Sequence, residues 1–70
     1  MKYLVIYEKG QEGYGAYVPD LPGCVAVGES VDDVKALIRE AIAMHLQSMR
    51  QDGEPIPIPT TQSEYMDMVG

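Results

Sequence analysis

Residues 14 to 30, YGAYVPDLPGCVAVGES, constrain this chain more than any other stretch, because two strands, a rigid reversal and a helix start follow one another without filler. Residues 14–18 carry aromatic and branched side chains and read as a strand, which Pro19 closes because proline cannot donate to a sheet ladder. In the Asp20-Leu21-Pro22-Gly23 segment, Pro22 presets the backbone angle wanted at the second position of a type II turn, and Gly23 supplies the positive angle wanted at the third. Residues 24–27 are again apolar and bounded by Gly28, so a second strand returns beside the first. Ser30 then offers a hydroxyl N-cap, with Asp33 three residues on, and a helix is predicted to begin at Val31.

That helix is amphipathic. Val31, Val34, Ile38, Ala41, Ile42, His45, Leu46 and Met49 share one arc of the wheel, and Asp32, Asp33, Glu40, Gln47 and Arg50 lie mostly opposite. It should run to about Gln51, with Gly53 as its stop and Arg50 near the negative end of its dipole. Upstream, residues 3–7 are apolar on both alternations, with Tyr3, Val5 and Tyr7 facing one way and Leu4 and Ile6 the other, as in a strand covered on both sides. The loop at 9–13 holds two glycines and reads as a hairpin, so the first two strands are antiparallel. Downstream, Pro55, Pro57 and Pro59 alternate with isoleucine and force an extended backbone short of amide donors. Residues 65–69, with Tyr65, Met66, Met68 and Val69, are predicted as a short last strand on the sheet of their own or a neighbouring subunit.

The order and wording of these segments resemble the HicB-like antitoxin family: tyrosine-x-alanine at Tyr14 to Ala16 of the strand YGAY, then Pro19-Asp20-Leu21-Pro22-Gly23-Cys24, then Gly28-Glu29-Ser30 leading into the helix. The likeness continues through Glu40, Ala41 and Ile42 and the Gly53-Glu54-Pro55 exit, and covers roughly residues 2 to 60. The resemblance implies a partial ribonuclease-H-like domain that neutralises a small messenger-RNA-cleaving toxin of the HicA-like kind by binding it. Many members of that family also carry a helix-turn-helix or ribbon-helix-helix module; this chain stops at Gly70, so operator recognition is not expected of it.

Seventy residues imply one domain, residues 1–70, whose single core is worth roughly 3–5 kcal/mol, so association with another chain is the expected source of further burial. Cys24 is the only cysteine, which excludes an internal disulfide, suits a reducing compartment and makes it a small apolar packing group. Residues 2–7 are too short for a membrane span and lack a signal-peptide cleavage site, so a cytoplasmic setting and no membrane contact are expected. A net charge of −6 opposes direct nucleic-acid binding and favours basic partners.

Chemistry is harder to find. His45 is the only histidine and sits on the apolar arc, where a packing role explains it. Glu8, Asp20, Glu29, Asp32 and Asp33 are the carboxylates a metal-dependent nuclease would need, but capping and solvation account for them, and no spacing argues for a metal cage. No phosphate loop or zinc spacing occurs, and no cofactor or enzymatic activity is expected. All five aromatics are tyrosines, favoured at protein interfaces, and four of them belong to the first hairpin. Tyr14 and Tyr17, with Asp20 and Leu21 at the turn tip, are therefore the expected partner-binding residues.

The expected architecture is α+β: a three-stranded antiparallel sheet, one long helix on one face, and a short last strand, in the order β-β-β-α-β. The expected function is an antitoxin-like module that occludes the active site of a small basic toxin, assembled as a dimer or tetramer. The alternative is a stand-alone oligomeric structural or regulatory protein with no toxin partner.

Overall fold

The computed structural model describes residues 1–69. Three strands, β1 (Ile6–Lys9), β2 (Tyr14–Tyr17) and β3 (Val25–Gly28), precede one helix, α1 (Val31–Gln51). They form an antiparallel sheet in the order β1-β2-β3, with Ile6 opposite Tyr17 and Tyr17 opposite Val25. The α+β class, the antiparallel sheet and the single long helix agree with the expectation from sequence.

The reversal between β2 and β3 is built from more than a single turn. Leu21 N–H donates to the Val18 carbonyl at 3.0 Å, and Cys24 N–H donates to the Leu21 carbonyl at 3.0 Å, so two turns follow in succession. Gly23 takes φ +85°, the angle a type II turn requires at its third position. The Val18 amide closes the loop by donating to the Cys24 carbonyl at 3.2 Å.

This compact loop supplies half of the core. The six buried apolar residues are Ala16, Val18, Leu21, Cys24, Val34 and Ile38, and three of them, Val18, Leu21 and Cys24, come from the reversal. Tyr3, Val5, Tyr14, Ala26, Ala41, Ile42 and Leu46 pack around them. Helix α1 therefore lies over β2 and β3, with Val34 and Ile38 as its two buried side chains. Ser30 caps it as predicted: the Asp33 amide donates to Ser30 Oγ at 3.1 Å. Its far end closes in a Schellman pattern, with the Glu54 amide on the Met49 carbonyl and the Gly53 amide on the Arg50 carbonyl. The helix approaches β3 closely, since a Cβ on Gly28 would lie 3.0 Å from Val34 Cγ2.

Two expectations need correction. The first strand pairs from Ile6 rather than from Tyr3, because β2 ends at Tyr17 and the chain then turns inward, so residues 3–5 have no strand opposite them. The last strand is not formed: among the described residues, 52–69 contain no strand, and Tyr65 and Val69 are fully exposed. Pro55, Pro57 and Pro59 cannot donate to a ladder, and the residues that follow meet no strand partner within the chain. No helix among the described residues is long and apolar enough to cross a membrane.

Candidate partner-binding surface

The sheet has two faces, and the register assigns every residue to one of them. Tyr14 opposite Gly28, and Ala16 opposite Ala26, face the helix; Tyr17 opposite Val25, and Gly15 opposite Val27, face outward. The outer face is apolar and open, with Val25 63% and Val27 77% exposed beside the partly exposed Tyr17. A contiguous exposed apolar surface rimmed by polar groups marks an interaction site more often than scattered single side chains do.

One end of the molecule is acidic. The loop at 10–13, the end of β3 and the start of α1 meet there, so that Glu12, Tyr14 and Glu29 line one groove and Glu29, Asp32, Asp33 and Glu40 line the next. The first-turn position of Asp32 and Asp33 suits the positive helix end. Among the described residues no group of three or more histidine, cysteine, aspartate or glutamate side chains is placed to hold a metal ion. The negative charge is concentrated at Glu12, Glu29, Asp32 and Asp33, and further along α1 Lys35 and Arg39 stand beside Asp32 and Glu40 in the adjoining groove.

The four residues singled out from sequence part company in three dimensions. Tyr14 packs against the core edge and lines the acidic groove, whereas Tyr17 stands on the outer sheet face. Leu21 is fully buried, so it is a core residue and not a contact at the turn tip; the double turn folds its side chain back under α1. The tyrosines likewise form no single cluster: Tyr3 donates its hydroxyl to the Pro57 carbonyl, and Tyr7 and Tyr17 lie on opposite faces.

Asp20 has a partner within the chain. Its carboxylate accepts hydrogen bonds from the Thr60 amide (3.1 Å), the Thr60 hydroxyl (3.2 Å), the Thr61 amide (3.1 Å) and the Thr61 hydroxyl (2.7 Å). The Thr61 hydroxyl first and the Thr61 amide second hold the Asp20 carboxyl below its ordinary range, against an opposing desolvation that outweighs either Thr60 donor. This latch fastens the segment after the helix to the turn between β2 and β3. No sequence signal announces it, since the partners are 40 and 41 residues apart. Because the folded carboxyl titrates below its unfolded value, the latch contributes at every pH above the ordinary carboxylate range and is lost as pH falls through the depressed value. Hydrogen exchange should show the Thr60 and Thr61 amides protected at neutral pH, and unprotected both in acid and in Asp20→Ala; equal protection in wild type and variant would remove the latch from the account.

Cys24 is buried, and burial pushes its thiol up, so it is a packing group rather than a thiolate nucleophile at neutral pH. His45 is half-buried on α1.

The family described as the HicB_like antitoxin of bacterial toxin-antitoxin systems matches residues 3–69. An uncharacterised 14.9 kDa protein from the rep-hol intergenic region of Haemophilus phage HP1 is 33% identical over 67 residues, which are 96% of this chain and 50% of that protein. A UPF0150 protein of Thermoplasma acidophilum is 40% identical over 58 residues, covering 81% of this chain and 84% of the relative. Antitoxin HicB 2 of Photorhabdus laumondii is 27% identical over 64 residues, 91% of this chain and 46% of the antitoxin. The chain thus spans about half the length of the phage and Photorhabdus relatives. Among solved structures, a chain of a HicA3 and HicB3 toxin-antitoxin complex superposes with a TM-score of 0.72 at 32% identity, over 86% of this chain and 70% of that one. The shared strand-turn-strand-helix order and the extent of the family match, nearly end to end, show that this chain belongs to the HicB-like antitoxin family.

Proposed function

We propose that this chain binds a HicA-like messenger-RNA-cleaving toxin and neutralises it by covering the toxin's active site. The observation that carries the reading is the likeness, at 32% identity and over 86% of the chain, to a component of a HicA3–HicB3 complex. The charge distribution supports it. An RNA-cleaving protein presents basic groups to phosphate, and the acidic end around Glu12, Tyr14, Glu29, Asp32 and Asp33 offers those groups a complementary surface. Tyr14 supplies an amphipathic ring among the carboxylates, and Asp20 acts from behind by holding the chain after α1 in place. On this reading the protein works by occupying a surface, not by chemistry of its own, in a cytoplasmic setting.

The test is competition. The product of a small basic gene beside this one, purified with this chain, should form a complex that stops messenger-RNA cleavage, and added RNA should raise the apparent dissociation constant in proportion to its concentration. Raising salt from 50 to 200 mM should weaken the complex, since acidic and basic surfaces attract through screened charge. No complex at micromolar concentration sinks the antitoxin reading. A complex that forms equally well in saturating RNA sinks active-site occlusion while leaving binding intact.

A further inference from the structure

We propose that Gly15 is the floor of a slot on the outer sheet face that seats an arginine side chain of a basic protein partner, between Glu8, Tyr17 and Val27. The slot rests on the reading of a basic toxin as partner and names where that partner comes nearest the sheet.

Gly15 is an interior residue of β2, the central strand, where glycine is costly: it loses the most freedom on folding and packs no side chain. Nothing inside the molecule requires it there. Among the described residues only Gly23 and Gly53 take positive φ, so the backbone at Gly15 suits other residues. It pairs with Glu8 on one side and Val27 on the other in an unbroken register, so it marks no bulge. A Cβ placed on it would meet the Ala26 carbonyl oxygen at 3.7 Å and Val27 Cγ1 at 3.9 Å, which is ordinary contact. Gly13 is the contrast: a Cβ there would lie 2.5 Å from the Gly28 carbonyl oxygen, so the fold itself demands glycine. A strand glycine with no positive φ, no bulge and no clash marks a place where something from outside approaches the backbone.

The walls indicate what that something is. On the outer face Glu8, Gly15 and Val27 form one row across the sheet, and Ile6, Tyr17 and Val25 form the next. With no side chain at Gly15, Glu8 and Val27 stand two strand spacings apart, about 10 Å, which leaves room for one flat side chain between them. Exposed Val25 and Val27 and the ring of Tyr17 offer apolar contact to a long stem, and the exposed Glu8 carboxylate offers a counter-charge to its head. Arginine has both parts. Its planar guanidinium also stacks on aromatic rings and pairs with a carboxylate through two parallel hydrogen bonds, whereas the lysine ammonium is a compact, strongly hydrated point charge. The slot continues into the groove that holds Glu12 and Glu29, since the two share Gly10, Gly15 and Val27. Lys9 also borders it, but Glu8, Glu12 and Glu29 outnumber that one ammonium and leave the trough negative.

Three variants of the full chain test the slot: Gly15→Ala, Gly15→Val and Glu8→Gln. Without partner, Gly15→Ala should melt a few degrees above wild type, because it meets no clash and restricts the unfolded chain. A lower midpoint would mean that the fold itself needs the glycine, and would overturn the proposal. Titrated with the product of the small basic gene beside this one, Gly15→Ala should bind roughly tenfold and Gly15→Val roughly a hundredfold more weakly than wild type, and Glu8→Gln several-fold more weakly. Arginine-to-lysine changes made one at a time in that partner should find one that weakens wild type and adds nothing to the defect of Gly15→Val. Undiminished binding by both Gly15 variants, or no such arginine, overturns the slot while the antitoxin reading stands; no binding by wild type sinks that reading and the slot with it. Weakened Gly15→Val beside an unaffected Glu8→Gln would make the occupant an apolar side chain, and a Gly15→Val protein whose only change in light scattering is weaker self-association would make it a second copy. Either result overturns the arginine assignment.

Discussion

Leu21→Ala is expected to leave most molecules unfolded at 25 °C. Leu21 is fully buried and belongs to the cluster that joins the β2–β3 reversal to Val34 and Ile38 of α1. Removing its isobutyl group should cost about 2–5 kcal/mol, the transfer term plus the cavity it leaves, and a single core of this size supplies only roughly 3–5 kcal/mol. The cost should fall at the high end, because the surrounding backbone is tied by the Val18–Leu21 and Leu21–Cys24 hydrogen bonds and cannot collapse into the space. Urea unfolding followed by far-ultraviolet circular dichroism would show the midpoint moving toward zero denaturant. If Leu21 were a partner contact, the variant would unfold like wild type and lose only toxin binding, so the two measurements together decide its role.

Ile38→Asp should be more severe still, giving no cooperative unfolding transition. Ile38 is one of the two buried side chains of α1, packed against the same cluster. The described residues bury no polar or charged side chain, so a carboxylate there would have no partner, at several kcal/mol. The neighbouring Leu37→Asp is the control: Leu37 is 44% exposed, so the same chemistry one residue earlier should cost about 1 kcal/mol or less. A folded Ile38→Asp protein, or an unfolded Leu37→Asp protein, would mean that α1 presents a different face to the sheet.

Both results turn on which side chains face inward, and here the helix and the turn were unequally legible. The arc through Val34 and Ile38 identified the packed face of α1 directly, since a period of 3.6 leaves one stripe apolar, and Ser30 and Gly53 marked its ends by chemistry that acts within a few residues. The turn was recognised by type, from Pro22 and Gly23, but not by depth. A type II turn preceded by a second turn folds its first residue beneath the helix, and nothing in the local order Pro19-Asp20-Leu21 says whether Leu21 points out or in. Counting acidic residues likewise yields a net charge but not its distribution: Glu12, Glu29 and Asp32 are brought to one end only when the hairpin loop is carried beside the start of α1. The short last strand is not paired within its own chain for a related reason, since an apolar alternation says that a segment can pair and is silent about the strand that receives it.

What the order of residues determined alone was therefore everything whose cause lies within about one turn or one hairpin: the strands around Tyr14–Tyr17 and Val25–Gly28, the type II turn, the capped helix Val31–Gln51, and the family. Tertiary structure alone decided that Leu21 is core, that Asp20 fastens Thr60 and Thr61 across 40 residues, and that Val25, Val27 and the tail remain uncovered. The division follows from the physics. Backbone angles and caps depend on neighbours in the chain, whereas burial and long-range hydrogen bonds depend on which surfaces meet once the chain has closed.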